Sequence, residues 1–307
     1  MNFLDLKYFV ITAEELNFTK AAKKLYITQQ SLSGHIARLE KAYGVQLFHR
    51  DRPMRLTEEG KTLLISAKKI LEDEREAVLR IQDIKQFKGG ELTIGIPASR
   101  GTLLLPELLT QCKEKMPNVK MNLVEGTTAE ITEALYLGKT DLILGKELMN
   151  PELLNTIYLR TEKSYIVVPD VYIQQVPEDV RNRLLASHQA KVTDFADCPF
   201  VLANGWLNDM FRAACQEGNI VPTIVLETRR IETALNLCLA GYGCTVVSAI
   251  FKMYLQQQPD AAAAVHCFEW NNPKTQWRFG ISYLKGKYFS QTAKKFVRIA
   301  KELYQEK

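Results

Sequence analysis

Residues 57–88 carry no proline, and no glycine after Gly60, until Gly89 and Gly90 follow as a pair. Such a stretch favours one continuous helix, because nothing in it breaks the backbone hydrogen-bond ladder, and paired glycines end it. Thr57 is placed to cap the start, with Glu58 and Glu59 at the positive end of the helix dipole. A helix of ~30 residues extends ~45 Å. Leu64, Ala67, Leu71, Val78 and Ile81 line it near a 3.5-residue spacing, interrupted at Glu74. A small domain at one end cannot cover that whole stripe alone. The helix divides the 307 residues into a short segment before it and a long one after it, as suits a chain of two or three domains.

In the short segment, Leu6, Phe9, Val10 and Ala13 recur at helical intervals. Asn17 is placed to cap a second, shorter helix through Ala21, Ala22 and Leu25. Tyr26-Ile27-Thr28 makes a tight connection to a third helix, residues 29–43. In it Leu32, Ile36, Leu39 and Tyr43 share one buried stripe; Gln30, Ser33, Gly34, Ala37, Arg38 and Lys41 fall on the opposite face. A short helix, a tight turn and a helix with a small, polar outer face make a helix-turn-helix. Residues 45–50 read as a strand and 54–56 as its partner. The resulting basic hairpin can lay Arg50, Arg52 and Arg55 along a phosphate backbone.

Charge agrees with that placement. Residues 1–88 hold 16 Lys and Arg against 12 Asp and Glu, and residues 89–307 hold 24 against 23. Residues 18–56 alone carry eight bases and two acids, a local excess suited to a polyanionic partner. At 46% hydrophobic and 24% charged, the composition excludes wholesale disorder. No run approaches ~20 apolar residues, so no membrane span is expected. The opening Met1-Asn2-Phe3-Leu4-Asp5 does not resemble an export signal. A cytoplasmic chain with its six cysteines as thiols is the expectation.

Several of these segments together resemble the N-terminal signature of the LysR-type transcriptional regulators: Asn17-Phe18-Thr19-Lys20-Ala21-Ala22, Gln29-Gln30-Ser31-Leu32-Ser33, Ile36-Ala37-Arg38-Leu39-Glu40, Leu47-Phe48-His49-Arg50 and Leu56-Thr57-Glu58-Glu59-Gly60. The resemblance implies a winged helix-turn-helix that binds double-stranded DNA. It brings Gln29, Ser31 and Ser33 to the DNA and Arg50 to a phosphate; Gln30 and Arg38 share that outer face. Glutamine pairs with adenine through two hydrogen bonds, which suits Gln29 and Gln30 to base reading. The long helix becomes a linker helix that pairs with a second copy in a homodimer or homotetramer. Two positions depart from the family: Gln30 stands where Pro, Ser or Ala is common, and Gly34 where Arg or Lys is usual. One expected cationic contact is therefore missing.

After Gly90 the pattern changes to alternating strands and helices. Strands are expected at 92–96, 120–124 and 142–144, with helices at 103–115 and 129–137. Later strands fall near 165–168, 200–203, 224–227, 245–247, 266–269 and 277–283, with helices at 206–217, 231–240 and 289–305. This is an α/β arrangement with mostly parallel strands. Leu104-Leu105-Pro106, Glu125-Gly126-Thr127-Thr128, Gly138-Lys139-Thr140-Asp141-Leu142, Cys198-Pro199-Phe200-Val201 and Leu239-Ala240-Gly241-Tyr242-Gly243 continue the same resemblance. It implies a two-lobed α/β effector domain similar to periplasmic solute-binding proteins. The expected domains are 1–60 (winged head), 61–88 (linker helix) and 89–307 (effector domain). Within the last, lobe I covers about 91–164 and 269–307, and lobe II about 165–268. Residues 177–191 look like a helical insertion into lobe II.

Ligands of open α/β sheets bind beyond the carboxyl ends of strands. There the sequence places Ser99, Arg100, Gly101 and Thr102 after the first strand and Thr127 and Thr128 after the second. Asn204 and Gly205 follow a strand of the second lobe. Backbone N–H groups, hydroxyls and Arg100 would suit a small organic anion; Ser99 and Thr128 are equally placed to cap helices. Cysteines 112, 198, 215, 238, 244 and 267 show no Cys-x-x-Cys, and the four histidines offer no zinc spacing. No catalytic set, metal site or cofactor fingerprint is readable. Two alternatives stand beside an effector-controlled regulator. One is an enzyme or solute-binding module fused to a DNA-binding head. The other is a thiol-based redox sensor, for which Cys198 and Cys215 lie in the right lobe without evident close pairing.

Overall fold

The structure, a computed structural model, describes residues 2–49, 53–84, 89–148, 150–256 and 262–305. The chain forms two compact units, Met1–Gly90 with Lys287–Ser290, and Glu91–Gly286 with Gln291–Lys307.

The first unit opens with α1 (Phe3–Glu15), α2 (Phe18–Lys24) and α3 (Gln29–Tyr43). Each starts on a side-chain cap: Asn2 accepts from Asp5 N, Asn17 from Lys20 N and Thr28 from Ser31 N. Leu6, Phe9, Ala21, Leu32, Ile36, Leu39, Leu47 and Phe48 close a common core. The wing is a two-residue ladder of β1 (Phe48–His49) and β2 (Arg55–Leu56), with Phe48 opposite Leu56. It is shorter than the strand expected over 45–50 because α3 claims the first residues. Val45 N donates to Glu40 O at 3.1 Å, and Leu47 N to the buried Glu40 carboxylate at 2.9 Å.

The long helix α4 (Glu58–Ile84) follows; expected helical residues 85–88 lie outside the described residues. Thr57 caps it, its hydroxyl accepting from Gly60 N at 2.9 Å while donating to Gln46 O at 2.7 Å. Its stripe divides. Leu63 and Ala67 are buried in the head, with Leu64 and Leu71 packed beside them, so the head covers the first half itself. Ile65, Ile70, Val78 and Ile81 stay exposed.

The second unit begins β3 (Gly89–Pro97), α5 (Ala98–Lys115), β4 (Asn118–Gly126), α6 (Thr128–Tyr136), β5 (Leu142–Lys146) and β6 (Leu154–Glu162). It continues through β7 (Ser164–Pro169), α7 (Asp170–Ile173), α8 (Glu178–Ser187), β8 (Gln189–Ala190), β9 (Pro199–Ala203), α9 (Trp206–Glu217) and β10 (Thr223–Thr228). Then come α10 (Ile231–Leu239), β11 (Thr245–Ser248), α11 (Ala249–Gln256), β12 (Val265–Trp270), β13 (Trp277–Leu284) and α12 (Gln291–Tyr304).

One sheet has the order β4-β3-β5-β13-β6; the other lobe holds β11-β7-β12-β8 and the pair β10-β9, joined to β11 by a bridge between Phe200 and Cys244. Only Lys163 separates β6 from β7, where the chain passes from the first sheet to the second; it returns between β12 and β13. The sheets are mixed rather than mostly parallel. Strands β7 and β13, entered at these crossings, pair antiparallel with both neighbours. Strand β6 and helix α11 add to the elements that the sequence pattern marks. The expected insertion is helical only over α8, and its last residues pair with β12 as an edge strand.

Gly60 is the tightest joint of the head. A Cβ there would stand 2.1 Å from Leu47 O, backbone that cannot yield cheaply. Gly60→Ala is expected to destabilise the head by about 2 kcal/mol, the scale of an overpacked core, as read by urea denaturation of the full chain.

Candidate functional site

Two surfaces carry chemistry. On α3 the buried stripe fixes the rotation, so Gln29, Gln30, Ser31, Ser33, Gly34, Ala37, Arg38 and Lys41 are all exposed together. Thr19 of α2 donates its hydroxyl to the Gln29 side-chain oxygen at 3.1 Å, orienting that amide. Arg55 is exposed on β2, whereas Arg50 and Arg52 lie outside the described residues. Arg38 is not simply free to meet DNA. It donates to Asp5 of α1 at 3.0 Å, and His35 lies 2.7 Å from the same oxygen. Asp5 is 2% exposed. Burial would raise its carboxyl, but hydrogen bonds to His35 and Arg38 outweigh that and hold it below its ordinary value.

The second surface is a cavity of about 210 Å³ between the lobes of the second unit. Pro97, Ser99, Arg100, Thr128, Lys146 and Trp277 line it from the first lobe. Ala203, Asn204, Gly205, Trp206, Leu207, Ile231, Val246, Ser248 and Phe251 line it from the second. Helices α5, α9 and α10 begin there without a side-chain cap on Pro97, Gly205 or Arg230. Gly205 holds φ +132 and ψ −174, a conformation closed to residues with a Cβ, which lets α9 start directly at the cavity wall.

The structure thus gathers Ser99, Arg100, Thr128, Asn204 and Gly205 of the expected set and separates the rest. Thr127, not Thr128, caps α6, its hydroxyl accepting from Glu130 N and its own N–H donating to the Glu130 carboxylate at 2.7 Å. Ser99 is not the cap of α5. Thr102 is exposed and donates back to Ala98 O, and Gly101 faces Glu125. Arg100 needs correcting as an anion ligand. Its guanidinium is buried and donates twice to Glu162, at 3.2 and 2.5 Å, and Arg160 donates to the same carboxylate. Burial would raise Glu162, but Arg100 and then Arg160 overcome it and lower its pKa.

Lys146, Phe251 and Trp277 join the lining without a motif that marks them in the sequence. The signal for Lys146 was available: it ends β5, two residues beyond the strand as read from sequence. Its Nζ rests 3.9 Å from the centroid of the Trp206 ring, and burial lowers its pKa.

The thiols give the redox alternative little chemistry. Burial raises Cys112, Cys215 and Cys267 to about 11, which suppresses thiolate. The contact of Cys198 is Cys244, whose hydrogen bond lowers the Cys198 thiol while that of Cys244 rises. No helix among the described residues is long and apolar enough to cross a membrane.

A DNA-reading head followed by a two-lobed domain with a cavity defines a ligand-controlled regulator. Comparison with known proteins specifies it. Residues 3–61 match the bacterial regulatory helix-turn-helix of the lysR family, and residues 85–305 match the LysR substrate binding domain. HcaR, the Hca operon transcriptional activator of Escherichia coli (strain K12), is 32% identical over 249 residues, covering 80% of this chain and 81% of HcaR. The regulator BenM of Acinetobacter baylyi (strain ATCC 33305 / BD413 / ADP1) is 30% identical over 250 residues, 81% of each chain. The solved structure of CbnR, a LysR family transcriptional regulator, matches all of both chains with a TM-score of 0.63 at 20% identity. The chain belongs to the LysR family of DNA-binding transcriptional regulators.

Two expectations follow for the head. Nothing stands within 4 Å of a Cβ added at Gly34. Gly34→Arg should stabilise α3 by about 1 kcal/mol and steepen the dependence of DNA affinity on salt by about one unit. Competition binding at two salt concentrations reads it; an unchanged slope means that this face does not meet DNA. Asp5→Asn should destabilise the head by about 2 kcal/mol at neutral pH. Because the folded-state pKa of Asp5 lies below its ordinary 3.8, its contribution is complete above that value and lost as pH falls through the lowered one. Denaturation from pH 7 to 3 should show the two proteins converging at the acid end.

Proposed function

We propose that this chain is a cytoplasmic, non-enzymatic regulator that binds double-stranded DNA as a homodimer or homotetramer and responds to a small organic anion held between its lobes. The observation that carries the reading is the cavity. It lies beyond the carboxyl ends of strands β3, β5 and β9, and three helix N-termini without side-chain caps open on it. Ser99, Thr128, Asn204 and Gly205 are its first polar contacts, and Arg100 fixes the wall. For the head, the exposed face of α3 and Arg55 of the wing support DNA contact, with Arg50 and Arg52 nearby in the sequence; CbnR, of the same fold, has been solved with its target DNA. The exposed Ile65, Ile70, Val78 and Ile81 of α4 support pairing with a second copy. Residues 1–60, 61–88 and 89–307 then serve reading, assembly and sensing. A ligand that prefers one lobe arrangement shifts the population toward it, and half-site spacing or DNA bend changes with it.

A thermal-shift screen of small organic acids on the full chain tests this. Calorimetry on each hit should show Ser99→Ala or Thr128→Ala weakening binding by roughly tenfold, the loss of one hydrogen bond. DNA affinity without ligand should be unchanged. Hits that bind both variants as well as the parent would remove the site from this cavity.

A further inference from the structure

Helix α1 contributes a carboxylate to the outer face of α3. The capping box of α1 fixes it: Asn2 Oδ1 accepts from Asp5 N at 2.8 Å, and Asn2 N donates to Asp5 Oδ2 at 3.3 Å. The other oxygen, Asp5 Oδ1, accepts from Arg38 Nη2 at 3.0 Å, with His35 Nδ1 2.7 Å away from it. Tyr8 of α1 meets the His35 ring edge to face, centroids 4.6 Å apart, and braces the imidazole. The Asp5 side chain is 2% exposed, whereas that of Arg38 is 58% exposed. A buried, immobile anchor therefore holds an arginine that faces solvent.

An arginine held in this way differs from a mobile surface cation. Its five N–H donors form a rigid planar fork. Nη2 donates to Asp5, while Nε–H and Nη1 have no acceptor among the described residues. With one end already fixed, little rotamer freedom is left to lose when those donors meet an acceptor pair. Gly34, one turn earlier on the same face, brings no side chain, and nothing stands within 4 Å of a Cβ built there. The surface beside Arg38 is thus open to close approach. Lys41, exposed on the same face, has no carboxylate partner among the described residues and remains a mobile charge.

The chemistry then selects the acceptor. A phosphate asks mainly for positive charge, which Lys41 offers without any anchor. A fork of fixed direction matters where direction is read. In the major groove guanine alone shows two acceptors, N7 and O6, to a group that only donates; adenine sets an N6 donor beside its N7. We propose that Arg38 reads a guanine in the major groove, and that Asp5 and His35 are positioning residues that aim it. The proposal rests on the reading of the α3 outer face as the one that meets DNA. It gives α1, which lies outside the helix-turn-helix pair, a part in choosing the sequence.

The test starts from duplexes selected out of a random pool by the full chain. The four base pairs are then placed in turn at each position of the selected site, and affinity is read by fluorescence anisotropy at one salt concentration. One guanine position is expected at which Arg38→Met removes a preference of at least about fivefold. Arg38→Lys should not restore it, because lysine lacks the fork. Asp5→Asn and His35→Gln should each narrow the same preference through loss on the guanine duplex, with binding of the other three retained. A head that is merely destabilised would bind all four less well. Should Asp5→Asn fail to fold by urea denaturation, His35→Gln decides the positioning role. Lys41→Met should lower all four affinities equally. If no guanine position depends on Arg38, the proposal falls, and a uniform loss from Lys41→Met still leaves α3 on the DNA. If neither variant changes binding, the reading of that face falls as well. A guanine preference that Arg38→Met removes but neither Asp5→Asn nor His35→Gln narrows overturns the positioning role.

Discussion

Glu162 is the point on which the sensing unit turns. It ends β6, one residue before the chain crosses between lobes, and it accepts from Arg100 in the first turn of α5 and from Arg160 on its own strand. Both guanidiniums lie over the Phe279 ring of β13, at 5.2 and 5.1 Å from its centroid. One carboxylate therefore ties an edge strand, a helix start and the returning strand β13 together beside the cavity. A buried charge left without its partner costs about 3–5 kcal/mol, and loss of Glu162 would strand both guanidiniums at once. The arrangement also fixes what Arg100 does: its two hydrogen bonds to Glu162 hold the wall in shape.

That assignment shows where a sequence stops being readable. Arg100 sits beyond the end of a recognisable strand, the right place for an anion ligand, but its partner is 62 residues away. Local pattern carries no information about such a pairing. The head was legible for the opposite reason: its stripes, its Asn17 and Thr57 caps and its outer face all arise from interactions within a few residues. Strand β6 escaped because Asn155, Thr156, Tyr158, Arg160 and Glu162 give it a polar, half-buried pattern without clean alternation. Its membership is decided by pairing with β13. The wing shrank, and the linker stripe divided, because Glu40 and the head core reached across the chain to claim residues that local spacing assigns elsewhere.

The family scaffold and the individual chemistry separate along the same line. Strand ends, uncapped helix starts and the two crossings place a cavity there whatever its lining. Its lining includes Lys146, Trp206 and Trp277, side chains that no backbone rule requires. Gly34 is the corresponding choice on α3, an open position on a face whose rotation the core has already set.

The cations of the two units differ in their physics. The bases of the head are mostly exposed, separated from their partner by water and mobile ions, so their attraction is screened over about 8–10 Å in ordinary salt. Specificity there has to come from directed hydrogen bonds such as those of Gln29, with mobile charge setting only the strength of contact. Lys146 is partly withdrawn from solvent and rests on an aromatic face, where screening is weak and an unanswered charge is costly.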